Sequence, residues 1–273
     1  MRGVFFSILL LLIYFLAVLL LFRQNTWLDL TAPFSVVSLT CLSGTLNNFL
    51  AERREKNFIR STFQRYVAPE VIDKLLSEKN AVNLGGNRRK VTILFADIHD
   101  FTPISENRPP EEVVELLNES LTVIAAAIFK YQGTLDKFIG DCVMAVFGAP
   151  LSQKDQELMA IKSALEMKKE ITGVSEKWSV KLGVKVEIGI GINTGEAVIG
   201  NIGSAERMDY TAIGDAVNLA QRLQSLATAG QIMVSENTFR SVAGLVSGTV
   251  QPPVQVKGKI KPVTFYEVHG LKS

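Results

Sequence analysis

Two aspartates in this 273-residue sequence stand where a divalent cation could be held. Asp97 closes the apolar run Val91 to Ala96. Asp141 sits at the tip of a turn, Gly140-Asp141, between the apolar runs Thr134 to Ile139 and Cys142 to Phe147. Carboxylates at the ends of buried strands can converge on one point. Such a pair suits Mg2+, which takes oxygen ligands and keeps positions open for substrate phosphates. Either aspartate alone would be an ordinary turn residue; the pair suggests a site. The two histidines, His99 and His269, are far apart in sequence, and Cys41 and Cys142 lack the Cys-x-x-Cys spacing of a zinc site. Cys41 falls in an apolar segment and Cys142 in a strand, so a disulfide between them is not expected, and the catalytic part reads as reduced and cytosolic.

The elements that must position these residues begin at Lys90. Val91 to Ala96 reads as a buried strand. Pro110 to Lys130 reads as an amphipathic helix, with Pro109-Pro110-Glu111-Glu112 as its start signal. Thr134 to Ile139 and Cys142 to Phe147 form a hairpin around Gly140-Asp141. A helix follows over Gln153 to Lys177, then strands over Val184 to Ile192 and Ala197 to Ile202, separated by a turn at Asn193-Thr194-Gly195. Asp215 to Leu226 is a helix, Gln231 to Val234 a strand, and the tail carries two more short strands. Strands and helices interleave with tight hairpins, which predicts an α+β domain with a mixed, mainly antiparallel sheet flanked by helices.

Upstream the composition changes. Val4 to Phe22 is an almost unbroken apolar run, about the length that spans a bilayer as a helix. A signal peptide is the alternative, but Leu20-Leu21-Phe22-Arg23 is no small-residue cleavage site. A weaker apolar segment, about 30–50, contains Pro33, Gly44, Asn47 and Asn48 and reads as a second span or an interfacial helix. The basic cluster Arg53, Arg54, Lys56, Arg60 follows it, and the positive-inside rule puts that cluster and Arg2 in the cytoplasm, which two spans allow. The expected organisation is a membrane anchor over 1–51, a helical connector over 52–87 and a catalytic domain over 88–273. This places the chain in the inner membrane, in contact with lipid, with its catalytic domain cytoplasmic. The connector carries an apolar stripe of Phe58, Ile59, Phe63, Tyr66 and Val67, suited to a packed spacer or a dimerising helix. A formal net charge of +2 is too mild to indicate a nucleic-acid partner.

Longer motifs surround the aspartates. Phe95-Ala96-Asp97-Ile98 with Phe101-Thr102, Asp136-Lys137-Phe138-Ile139-Gly140-Asp141, Gly189-Ile190-Gly191-Ile192-Asn193-Thr194-Gly195 and Met208 to Leu223 occur in that order. Together they resemble the class III nucleotidyl cyclase catalytic domain, of the membrane-anchored bacterial type, from about Arg88 to the carboxyl end. The resemblance implies a ferredoxin-like, palm-like fold and an adenylyl cyclase that converts ATP to 3',5'-cyclic AMP and pyrophosphate. It implies that Asp97, Asp141 and the Ile98 carbonyl bind two divalent cations, Mg2+ or Mn2+. Lys137 would read the adenine ring, with Thr211 as the second purine contact. Asn218 would orient the ribose, and Arg222, four residues on and so on the same helix face, would stabilise charge developing on the phosphates. Lys257 would hold the terminal phosphates, with Lys259 the nearby rival for that role, and backbone amides at Phe101 and Thr102 would hold phosphate oxygens.

The resemblance also implies a symmetric homodimer with two composite sites, the metal pair and Lys137 coming from one subunit and Thr211, Asn218 and Arg222 from the other. Some members with threonine at the second purine position respond to bicarbonate, which makes it a regulator to test. One departure stands out: the family often has Arg-Gly where this chain has His99-Asp100. Asp100 could weaken ATP binding, turn outward or assist a metal. The rival functions are an inactive cyclase-homology signalling module, a guanylyl cyclase, a diguanylate cyclase and a purely structural anchor. The Gly-Gly-Asp/Glu-Glu-Phe signature of the third is missing.

Overall fold

The computed structural model describes residues 85–204, 206–255 and 262–272, together with residues 13–15, 18, 35–36, 38–40, 42–47, 49–50 and 53–54, all of which are helical. The chain divides into two compact units, Met1–Arg65 and Tyr66–Ser273. Among the described residues no helix is long and apolar enough to cross a membrane. The apolar segment 4–22 and the connector 52–87 lie largely outside them, and the segment 30–50 only in part within them. In the first unit Val36, Leu39, Leu42, Leu46 and Phe49 are each more than half exposed.

The second unit is built on one long central strand. β1 (Gly85–Ile98) alternates strictly: Val91, Ile93 and Phe95 join one core cluster, and Leu94, Ala96 and Ile98 the other. A strand buried on both faces needs apolar residues at successive positions, which is why the run 91–96 is continuous. After β1 come α1 (Phe101–Glu106), α2 (Pro110–Lys130), β2 (Thr134–Ile139), β3 (Cys142–Phe147) and α3 (Gln156–Leu182). Then follow β4 (Ile188–Gly203), β5 (Met208–Ile213), α4 (Asp215–Leu226), β6 (Ile232–Ser235), α5 (Glu236–Val242), β7 (Val246–Val254) and β8 (Val263–Leu271). The sheet order is β2-β3-β1-β4-β6-β8-β7, with β5 paired to β4 off that path. Every pairing is antiparallel except β4 with β6. This is the mixed, mainly antiparallel α+β sheet that the sequence predicts.

Helices α2 and α3 cover one face, where Leu116, Ile124, Ile161, Met167 and Trp178 pack on the sheet. Trp178 is fully buried, and its indole N–H donates to Glu119 Oε2 at 2.9 Å. Helix α4 covers the other face through Ala216 and Ala220.

Three predicted features are corrected. β1 begins at Gly85, inside the expected connector, and the strand expected from Val184 begins at Ile188. Asn193-Thr194-Gly195 is not a turn: β4 runs through it unbroken. The small and polar residues there serve close helix packing. Asn193 Nδ2 donates to the Ala216 carbonyl at 2.8 Å, and a Cβ at Gly195 would come within 2.9 Å of the Ala216 methyl. Gly191, four residues earlier, is tighter still. A Cβ there would meet Gln224 N at 2.1 Å and the Ala220 carbonyl oxygen at 2.4 Å, both rigid main-chain atoms of α4. Gly191→Ala should therefore push α4 off the sheet. The expected cost is about 1–3 kcal/mol of stability, with a loss of activity larger than the lost folded fraction explains. Paired melting curves and turnover rates check both.

Candidate active site

The β1/β3 register pairs Asp97 with Cys142, which sets Asp97 beside the tip of the β2–β3 hairpin, where Asp141 sits. The tip is a two-residue turn. Its first residue, Gly140, has φ +66, the positive value that the first position of a type II′ hairpin asks of glycine. The two carboxylates are close enough to share a hydrogen bond. Burial first, then the charge of Asp141, raises Asp97 from 3.8 to about 6. Burial also raises Asp141, against its own backbone N–H and its bond to Asp97, which lower it. Gln224 Nε2 on α4 donates to Asp97 Oδ2 at 3.2 Å. Cys142 borders the pair. Burial and then the two carboxylates push its thiol up to about 12, so it stays neutral.

Like charges forced together at a half-buried point form a natural cation cradle. Among the described residues no group of three or more His, Cys, Asp or Glu side chains gathers to hold a metal. An ion held by Asp97 and Asp141 would complete its shell from main-chain carbonyls, water and phosphate oxygens. Ile98, the proposed carbonyl ligand, is the last residue of β1 and is buried. Phe101 and Thr102 open α1 immediately after the 99–100 turn. At that turn Asp100 has φ +53, the left-handed backbone that glycine adopts freely and aspartate tolerates. Its side chain is 74% exposed and lies 3.4 Å from His99 Nε2, so it turns outward.

A second cluster lies where β2 meets β5. Thr211 Oγ1 donates to Asp136 Oδ2 at 2.6 Å, and Lys137 Nζ lies 3.5 Å from both Asp136 Oδ1 and Asp209 Oδ2. Lys137 and Thr211 are thus neighbours within one chain. The expectation that they come from opposite subunits is corrected: β5, which carries Thr211, folds back from β4 and reaches β2 of its own chain.

Asn218 and Arg222 lie on α4. Asn218 is exposed and Arg222 half-buried, and neither side chain makes a hydrogen bond or ion pair among the described residues. At 3.6 residues per turn, Arg222 projects about 200° around the helix from Gln224. Because Gln224 faces Asp97 of its own chain, the face carrying Asn218 and Arg222 looks away from that carboxylate pair. Lys257 lies outside the described residues. Sequence reasoning missed Asp136, Asp209 and Gln224, although all three fall inside or beside the motifs that carry the resemblance.

The family model of the adenylate and guanylate cyclase catalytic domain matches residues 86–270. The chain belongs to that family. Adenylate cyclase 1 of Rhizobium meliloti is 31% identical over 246 residues, covering 89% of this chain and 36% of that protein. The adenylate cyclase of Anabaena cylindrica is 31% identical over 241 residues, covering 85% and 45%. This chain therefore spans less than half the length of those two relatives. Among solved structures, the adenylyl cyclase CyaB from P. aeruginosa is 39% identical with a TM-score of 0.66, covering 68% of this chain and 96% of that one. The guanylyl cyclase Cya2 is 41% identical with the same TM-score, covering 69% and 96%.

Class III cyclase domains generally depend on divalent metals, and the Asp97–Asp141 pair of this one is chemically suited to them. Its protonation has two consequences. The raised Asp97 means the folded cyclase domain holds that proton more tightly than the unfolded chain. Without metal, the resulting stability is fully present below 3.8 and is lost as pH rises towards about 6. A metal bound by the pair would have to displace the same proton. Mn2+ affinity, measured without nucleotide, should be level above about pH 6 and fall about tenfold per pH unit below it. Calorimetric titration at several pH values, in buffers of different ionisation enthalpy, checks the affinity and the released proton.

Proposed function

We propose that this chain is an adenylyl cyclase, converting ATP to 3',5'-cyclic AMP and pyrophosphate in composite sites at a homodimer interface. The observation that carries the reading is the mutual orientation of its two halves. The carboxylate pair gathers at the β1 end and hairpin tip, while Asn218 and Arg222 face away from it with no partner of their own. A second copy would bring the missing half to each. Exposed apolar residues near the site, Phe138 and Ile139 on β2 and Val198 and Ile213 on β4 and β5, support such a pairing.

Asp97, Asp141 and the Ile98 carbonyl would hold two divalent ions, Mg2+ or Mn2+. When bound, those ions would lower the pKa of the ribose 3'-hydroxyl and offset charge on the phosphates. Asn218 orients the ribose so that its 3'-oxygen lines up with the α-phosphorus and the pyrophosphate leaving group. Arg222 places its planar guanidinium against the charge that grows on the phosphate oxygens. The backbone amides of Phe101 and Thr102, and Lys257, hold the triphosphate. Lys137 donates to adenine N1, and Thr211 accepts from the adenine amino group.

A guanylyl cyclase is the second reading, favoured by the 41% identity to Cya2. An ammonium cannot accept the guanine N1–H, which supports ATP. The full chain assayed with Mn2+ and either nucleotide separates the two: the adenylyl reading requires cyclic AMP formation to exceed cyclic GMP formation at equal substrate. Adding bicarbonate to the same assay tests it as a regulator. The anchor stays part of the reading: apolar residues exposed among the described helical residues 35–36, 38–40, 42–47 and 49–50 suit lipid. Fractionation of cells expressing the full chain tests a membrane location with a cytoplasmic catalytic domain.

A further inference from the structure

We infer that Asp136 is a positioning residue for base selection, holding the Thr211 hydroxyl with its proton turned away from the substrate. This rests on the adenylyl reading of the same site and deepens it. The backbone comes first. In β2, Leu135 pairs with Ala145 and Lys137 with Met144, so Asp136 is the extra residue of a β-bulge. In a regular strand, successive side chains point to opposite faces; a bulge breaks that alternation and re-aims a side chain. Here Asp136 and Lys137 both reach the β5 side of the sheet edge, with Oδ1 of one 3.5 Å from Nζ of the other.

The Asp136 side chain is 3% exposed, and the cation beside it is Lys137, with Nζ 3.5 Å from Oδ1. Its Oδ2 accepts from Thr211 Oγ1 at 2.6 Å and from the Ala212 backbone N–H at 3.3 Å. Its Oδ1 has no hydrogen bond. An ionised carboxylate can only accept, and Oδ2 takes both bonds. The Thr211 hydroxyl beside it must then spend its single proton on Asp136. What remains to the substrate is a lone pair.

A free threonine hydroxyl is ambiguous, because it can donate or accept. Tied to Asp136, it is an acceptor only. Beside it, the Lys137 ammonium is a donor only. The edge so formed, donor next to acceptor, complements adenine, which offers an acceptor at N1 and a donor at its amino group. Guanine offers N1–H and O6, the reverse. Asp136 thus removes the one option, donation to O6, by which Thr211 could welcome guanine.

The test is the ratio of kcat/KM for ATP to that for GTP, with thermal melts as a fold control. Asp136→Ala frees the hydroxyl and should lower the ratio about tenfold, the worth of one hydrogen bond gained or lost at the base. Asp136→Asn keeps an oxygen facing Thr211 and Ala212 and should keep the ratio within about twofold. In a Thr211→Val background, Asp136→Ala should leave the ratio unchanged, because Asp136 acts through that hydroxyl. If the alanine variant does not fold, Asp136→Leu fills the buried volume and takes its place. Should turnover prove too slow, equilibrium binding of fluorescent ATP and GTP analogues gives the same ratio. An equal fall for both nucleotides, or an unchanged shift in the Thr211→Val background, would reduce Asp136 to a structural role and overturn the inference. A parent chain that prefers GTP would overturn the adenylyl reading as well, whereas one that prefers ATP with an unresponsive Asp136→Ala overturns this inference alone.

Discussion

Mixing two variants that are each nearly inactive, Asp97→Ala and Arg222→Ala, should restore about a quarter of the activity of the unmutated chain, because half the dimers are hybrids and each hybrid keeps one of its two sites. Each variant alone should lose about two to three orders of magnitude in kcat, the usual cost of removing a group that meets charge developing in the transition state. The recovery follows from helix geometry. Gln224 ties α4 to Asp97 of the same chain. That contact turns Arg222 away, so in the proposed dimer Arg222 would serve a carboxylate pair belonging to another copy. Re-purified variant mixtures, with dimers verified by light scattering, give the number. No recovery in confirmed hybrid dimers would show that the two groups work in one chain.

Lys137→Met should cut kcat/KM for ATP about a hundredfold, the expected loss for a charge-assisted hydrogen bond to the base. It should also destabilise the domain. Asp136 Oδ1 is buried without a hydrogen bond, and Lys137 Nζ, at 3.5 Å, offsets its charge. Burial already raises the Asp136 carboxyl, and losing the ammonium would raise it further. Because Lys137 stands with Thr211, which the proposed function groups with Asn218 and Arg222, the Lys137→Met chain should complement Asp97→Ala. It should not complement Arg222→Ala. The opposite pattern would return Lys137 to the metal half.

The parts of the fold that follow from local pattern were legible in the sequence. β1 shows itself as a continuous apolar run, and the Gly140-Asp141 turn lies between two such runs. The helix over 215–226 emerges with the bounds expected of it. The misreadings share one physical cause, which is that a residue type does not say what its neighbour in space will be. Asn193 and Gly195 look like turn residues, but their small size and amide serve the approach of α4. Gly85-Gly86-Asn87 looks like the end of a connector and instead starts β1, where Gly86 pairs with Gly200 of β4. Asp136 passes unnoticed beside Lys137 because a bulge cannot be seen in a six-residue strand without its partner's register. The division of Lys137 from Thr211 fails for the same reason: only the fold-back of β5 puts them side by side. The two aspartates were found because both strand ends and the hairpin tip are local features, and the pairing of β1 with β3 does the rest.

The most direct test of the central claim uses the purified, dimeric full chain with Mn2+ and ATP. Cyclic AMP and pyrophosphate should appear in equal amounts, and the double variant Asp97→Asn/Asp141→Asn, still folded and paired, should release neither. A folded dimer that binds no Mn2+ and releases no pyrophosphate would contradict the account, as would one that keeps its turnover after both carboxylates are gone.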